Sequence, residues 1–192
     1  MRWSVATVGC AFLVLLGVLA LSIGLWGVGK YNSLVTMRED IDKAWSQVQN
    51  VLQRRADLIP NLVETVRGYA THEKEVFEQV AAARARLAGA VTPGEAAAAN
   101  AGLTAALGRL LAIAEAYPDL KASANFIRLQ DELAGTENRI ANERRTYNEM
   151  VRNYNAAIKR FPANFLAGMF GFPEREYFEA APGAQEVPKV KF

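Results

Sequence analysis

The chain's one histidine, His72, stands beside Glu73 in Tyr69-Ala70-Thr71-His72-Glu73, the kind of pair from which a proton relay or a metal site is built. Either device needs more than these two groups. A metal wants three or four ligands at set spacing, and a general base wants a reacting group within reach. Glu137 and Glu143 lack the histidine three residues on that a di-metal helix site uses. The single cysteine, Cys10, sits in an apolar run with no other ligand type beside it. There is no glycine-rich phosphate loop, GxSxG elbow or dinucleotide fingerprint. We therefore expect no catalytic residue, no metal ligand, no cofactor and no small-molecule substrate. On its residues this chain is not an enzyme.

The polar residues with more to say are Arg38, Arg55, Glu73, Glu137 and Arg144, which interrupt rows of apolar side chains seven apart. A charge at a core-facing heptad position costs stability, so it pairs and helps to set register and partner. Alternatively its stem packs while its head bends out to water. Both readings stand on sequence alone.

Those rows define the elements. One runs Ile41, Val48, Arg55, Leu62, Tyr69, Val76, Ala83, and its companion Trp45, Leu52, Ile59, Val66, Glu73, Val80, Leu87. Their unbroken phase predicts one amphipathic helix over about 31–88. Pro60 lies inside it, and the phase on either side favours a kink over a hairpin. Thr92-Pro93-Gly94-Glu95 announces a second helix, over about 94–116, with Thr92 as cap and Glu95 completing a capping box. The third, about 120–160, repeats Phe126, Leu133, Ile140, Tyr147, Tyr154 and Phe161 every seven residues. Residues 163–192 follow as a short helical turn and a frayed tail.

Before all of this, residues 5–29 form one apolar run with no charge, long enough at ~37 Å to cross a hydrocarbon core of ~30 Å. Arg2 is the only charged side chain before it, the run is too long for a signal peptide, and no Ala-x-Ala-like site ends it. We read 1–29 as a retained anchor in the lipid bilayer, with Trp3, Trp26 and Tyr31 at its interfaces. Ala6, Cys10, Gly17, Ala20, Gly24 and Gly27 form a stripe of small residues, suited to helix–helix approach in a membrane and also ordinary in such helices. Lys30, Arg38 and Lys43 outweigh Arg2 and the amino terminus, which favours a cytoplasmic bundle with the N-terminus outside. A net charge of +2 points to no nucleic-acid surface.

The fold expected is thus all-α: a transmembrane helix (1–29) continuing into an elongated antiparallel, coiled-coil-like bundle (30–162). The helix lengths do not match, so either Pro60 folds the first helix back into a four-helix bundle or a second copy covers the exposed seam, giving a homo-oligomer. The apolar stretch from Phe165 to Phe172, followed by Tyr177-Phe178, either docks on a membrane or partner or packs over the bundle end.

The chain resembles the LemA family. The resemblance rests on Tyr31-Asn32-Ser33-Leu34-Val35, on Gln53 to Val66 with Pro60-Asn61 inside it, and on Gly68-Tyr69-Ala70-Thr71-His72-Glu73. It continues through Glu115-Ala116-Tyr117-Pro118-Asp119-Leu120, Thr136 to Ala141, Tyr147-Asn148, Tyr154-Asn155, Phe161-Pro162 and Tyr177-Phe178-Glu179. The resemblance implies a bacterial single-pass inner-membrane protein with a cytoplasmic helical domain and no assigned reaction. It also implies a place in membrane protein quality control beside membrane proteases. From this the expected role is a self-associating scaffold that binds other membrane proteins; the alternative is an adaptor or regulator of a membrane protease.

Overall fold

The computed structural model describes residues 5–179, with side chains from Gly9 onward. The expectations on Arg2, Trp3, the Ala6 side chain and the tail beyond Glu179 lie outside those residues. The fold is all-α: α1 (Val5–Arg67), α2 (Lys74–Gly89), α3 (Pro93–Ala114), α4 (Pro118–Lys121), α5 (Ala124–Lys159) and α6 (Ala163–Phe170), with no strand among the described residues. They form two packed units. Among the described residues, one combines 5–40 with Arg152–Arg175, and the other combines Ile41–Val151 with 176–179.

The second unit is a bundle of four helical stretches. Trp45 meets Tyr147 and Arg55 meets Glu137, so α5 runs antiparallel to α1. Arg67 lies over Phe77 while Arg84 reaches Ala56, so α2 also runs back along α1. Both heptad rows are covered within the chain: Ile41, Val48, Ile59, Leu62 and Val66 of α1 are buried, with Val80 of α2, Leu103 and Leu110 of α3, and Phe126, Ile140 and Val151 of α5.

The expected single helix over 31–88 is wrong in one respect. The fold-back falls at Gly68–Glu73, where Gly68 and Ala70 still donate to the carbonyls of Glu64 and Val66 and the chain then turns. Turning there lets Phe77, Val80, Ala83 and Leu87 bury against the same chain, a gain that continuing the rod would forgo. Because α1 has ended, Tyr69 leaves its row and is 45% exposed.

Pro60, by contrast, stays inside α1. Lacking an N–H, it cannot bond the carbonyl four residues earlier, that of Ala56. Arg84 Nε donates to that carbonyl at 2.9 Å. The partner helix supplies the hydrogen bond that the proline removes.

The capping box that opens α3 is present: Thr92 Oγ1 accepts from the Glu95 amide at 3.2 Å, and Glu95 Oε2 accepts from the Thr92 amide at 3.1 Å. The extra turn α4 separates α3 from α5. On α5 the sevenfold row is buried from Phe126 to Tyr154, but Phe161 is 80% exposed, since the helix ends at Lys159.

Candidate functional site

His72 stands exposed in the α1–α2 turn, and Glu73 starts α2 as an N-cap whose side chain makes no capping bond. Among the described residues no group of three or more His, Cys, Asp or Glu is placed to share a metal ion. Of the residues that break the apolar rows, the structure joins two. Arg55 of α1, only 4% exposed, forms an ion pair with Glu137 of α5. Its Nη1 donates to Asn100 Oδ1 at 2.6 Å and its Nη2 to Thr104 Oγ1 at 3.0 Å, both on α3. One guanidinium thus ties three helices.

Burial lowers the Arg55 pKa from its ordinary value, and the Glu137 charge partly restores it. Its Nε meets no acceptor, so the site is a compromise between packing and polarity. Asn100 and Thr104 were not singled out from sequence. Two polar residues four apart in an otherwise alanine- and leucine-rich helix are the signal that could have found them.

Two Tyr-Asn pairs, seven residues apart on α5, hold the C-terminal strap by its backbone. In the bundle unit, Asn148 Nδ2 donates to the Phe178 carbonyl and its Oδ1 accepts the Phe178 amide, both at 2.9 Å. Tyr147 donates its hydroxyl to the Glu176 carbonyl at 2.8 Å. In the other unit, Asn155 makes the same double contact with Arg175 at 2.9 Å, and Tyr154 donates to the Pro173 carbonyl at 3.1 Å. Each asparagine imitates the pairing of a neighbouring strand. Phe178, for which docking outward and packing on the bundle were both open, is buried and packs near Trp45.

The unit that contains the apolar run is built around Tyr31. Its ring lies edge-on to Phe170 (5.1 Å) and Phe172 (5.6 Å), and Arg38 stands 5.7 Å over the Phe172 ring. Gly171, at φ 67°, ends α6 in the left-handed conformation that turns Phe172 inward. Upstream, α1 is long and apolar enough to cross a membrane, and its apolar window has nothing packed over it. Leu13 and Leu25 are each at least two-thirds exposed. The small-residue stripe from Cys10 to Gly27 faces open space at its glycines. Helix α3 is also long and apolar enough to cross a membrane, yet Leu103 and Leu110 lie in the core and Asn100 binds Arg55, which marks it as a bundle helix.

Residues 44–192 match the model of the LemA family. This chain belongs to the LemA family. It is similar to the Magnetosome protein MamQ 2 of Paramagnetospirillum magneticum, with 31% identity over 187 residues covering 84% of this chain and 68% of that protein. The Magnetosome protein MamQ of Magnetospirillum gryphiswaldense is 32% identical with the same coverage. Protein LemA of Metamycoplasma hominis is 26% identical over 158 residues, covering 80% of this chain and 71% of its own.

The LemA match begins at Ala44, so it covers Arg55, its partners and both Tyr-Asn pairs. Within this family member, three of the segments that carried the resemblance have physical duties. Tyr147-Asn148 and Tyr154-Asn155 clamp the strap, while the stretch around Pro60 and Arg55 holds α1 to α2, α3 and α5.

Proposed function

We propose that this LemA family member is a non-enzymatic scaffold of the bacterial inner membrane. Residues 5–29 anchor it, the N-terminus lies outside, and the helical bundle works in the cytoplasm on other membrane proteins. The observation that carries the reading is α1 itself. One helix begins as an apolar rod with exposed side chains and ends as a core helix of a bundle. Exposed leucines and valines over some twenty residues need lipid around them. The positive side chains after the run, Lys30, Arg38 and Lys43, support the orientation.

Self-association belongs to the same proposal, with its seat moved. The bundle's rows are covered within one chain, so the face left for a second copy is the small-residue stripe of the anchor. Alkaline extraction of bacterial membranes tests the anchoring: the full chain stays with the lipid, and release into the wash would refute it. The mass of the detergent-solubilised chain tests assembly. A multimer that Gly17→Leu with Gly24→Leu reduces to monomer is expected, whereas a wild-type monomer would remove that part.

A further inference from the structure

Helix α6 is built inside out for a helix in water. Its small residues, Ala163 and Ala167, are buried, Leu166 is half-buried, and its other large ones face outward. Phe165 is 67% exposed, Met169 70% and Phe170 53%, and Phe161, four residues before Phe165, is 80% exposed. A step of four puts Phe165 and Met169 on one side of α6, and the Phe161 ring, just before the helix, lies 6.0 Å from that of Phe165. Water would favour the reverse arrangement, with rings inside and alanines out.

The position of this face identifies what covers it. At one end of α6, Phe161 and Ala163 line a cleft shared with Trp26 and Lys30 of α1. At the other, Phe170 packs on Tyr31. Both ends therefore sit level with the stretch where the apolar run of α1 gives way to polar sequence, which is where a bilayer surface falls if α1 spans it. Lys30 and Arg160 line the same cleft, cations suited to lipid phosphates beside an apolar face.

We propose that α6 is a second membrane contact, lying in the interface with Phe161, Phe165, Met169 and Phe170 inserted among the upper acyl chains. The proposal rests on the anchor reading. Its consequence is that the collar of Tyr31, Phe170 and Phe172 is held at the membrane surface from two sides.

The test uses the full chain in nanodiscs containing anionic lipid, with a nitroxide at position 169 or 165 (Met169→Cys or Phe165→Cys in a Cys10→Ser background). A label at position 18 (Val18→Cys) reports the anchor. Collisions with lipid-soluble oxygen and with an aqueous nickel chelate are measured at each site. Oxygen collisions several-fold above nickel collisions at 169 and 165, as at 18, are expected. Nickel access at 169 and 165 with a protected label at 18 would overturn the α6 contact and leave the anchor standing. Nickel access at all three would refute the anchor itself. Protection from both reagents at 169 would show α6 covered by protein, a second copy included, and would also overturn the proposal.

Discussion

Arg55 brings a charge into the core, and its neighbours decide what that charge is worth. Two of its contacts, to Asn100 and Thr104, sit on α3, while Glu137 is about half exposed. Water competes for the half-exposed carboxylate, so the ion pair contributes less than the bonds to α3. Glu137→Gln should cost under about 1 kcal/mol in chemical unfolding, whereas Arg55→Leu, which leaves the buried Asn100 without its donor, should cost about 2–3 kcal/mol. Equal costs would show that the ion pair, not the amide contact, dominates. At Glu95 the direction is set by the amides of Val91 and Thr92, which hold its carboxyl below the ordinary 4.5. The unfolded chain then takes up this proton first, so the cap's contribution is whole above the ordinary value and is lost as pH falls through the folded one. Acid unfolding should therefore be shallower in Glu95→Gln, and an unchanged profile would contradict the capping account.

Among the helices, the pairing of Pro60 with Arg84 makes a specific claim about coupling. Arg84→Ala strands the Ala56 carbonyl and should cost about 1–2 kcal/mol. In a Pro60→Ala background residue 60 regains its amide and can bond that carbonyl, so the same change should cost markedly less. Additive costs would sink the idea that one residue compensates the other. For the strap, Asn148→Ala and Asn155→Ala each remove two bonds to extended backbone, an expected loss of about 1–3 kcal/mol. A loss near zero in either would show that the asparagine amides do not hold the strap. Heptad rows in the sequence are enough to reveal the helices and their buried faces, because a sevenfold repeat is local. The fold-back at Gly68–Glu73 was hidden since the apolar phase resumes after it at Phe77 and Val80. The strap was hidden too: its partners are backbone groups, which leave no pattern in side-chain type. Arg55 and Glu137 were visible as interruptions, but that they meet each other depends on the antiparallel register of α1 and α5.

For the molecule as a whole, a membrane-anchored bundle requires α1 to be lipid-embedded before it enters the bundle. Neither the match from residue 44 onward nor the bundle's own packing bears on that stretch. The direct measurement is reactivity toward a membrane-impermeant maleimide in intact cells and in opened membranes. Single cysteines replace Leu13, Leu21 or Val91 in a Cys10→Ser background. Positions 13 and 21 should stay unreactive in both preparations, while position 91, 76% exposed before α3, should react only once the cytoplasmic face is opened. Reaction at 13 and 21 as fast as at 91 would mean that this helix meets water rather than lipid, and the account would fail.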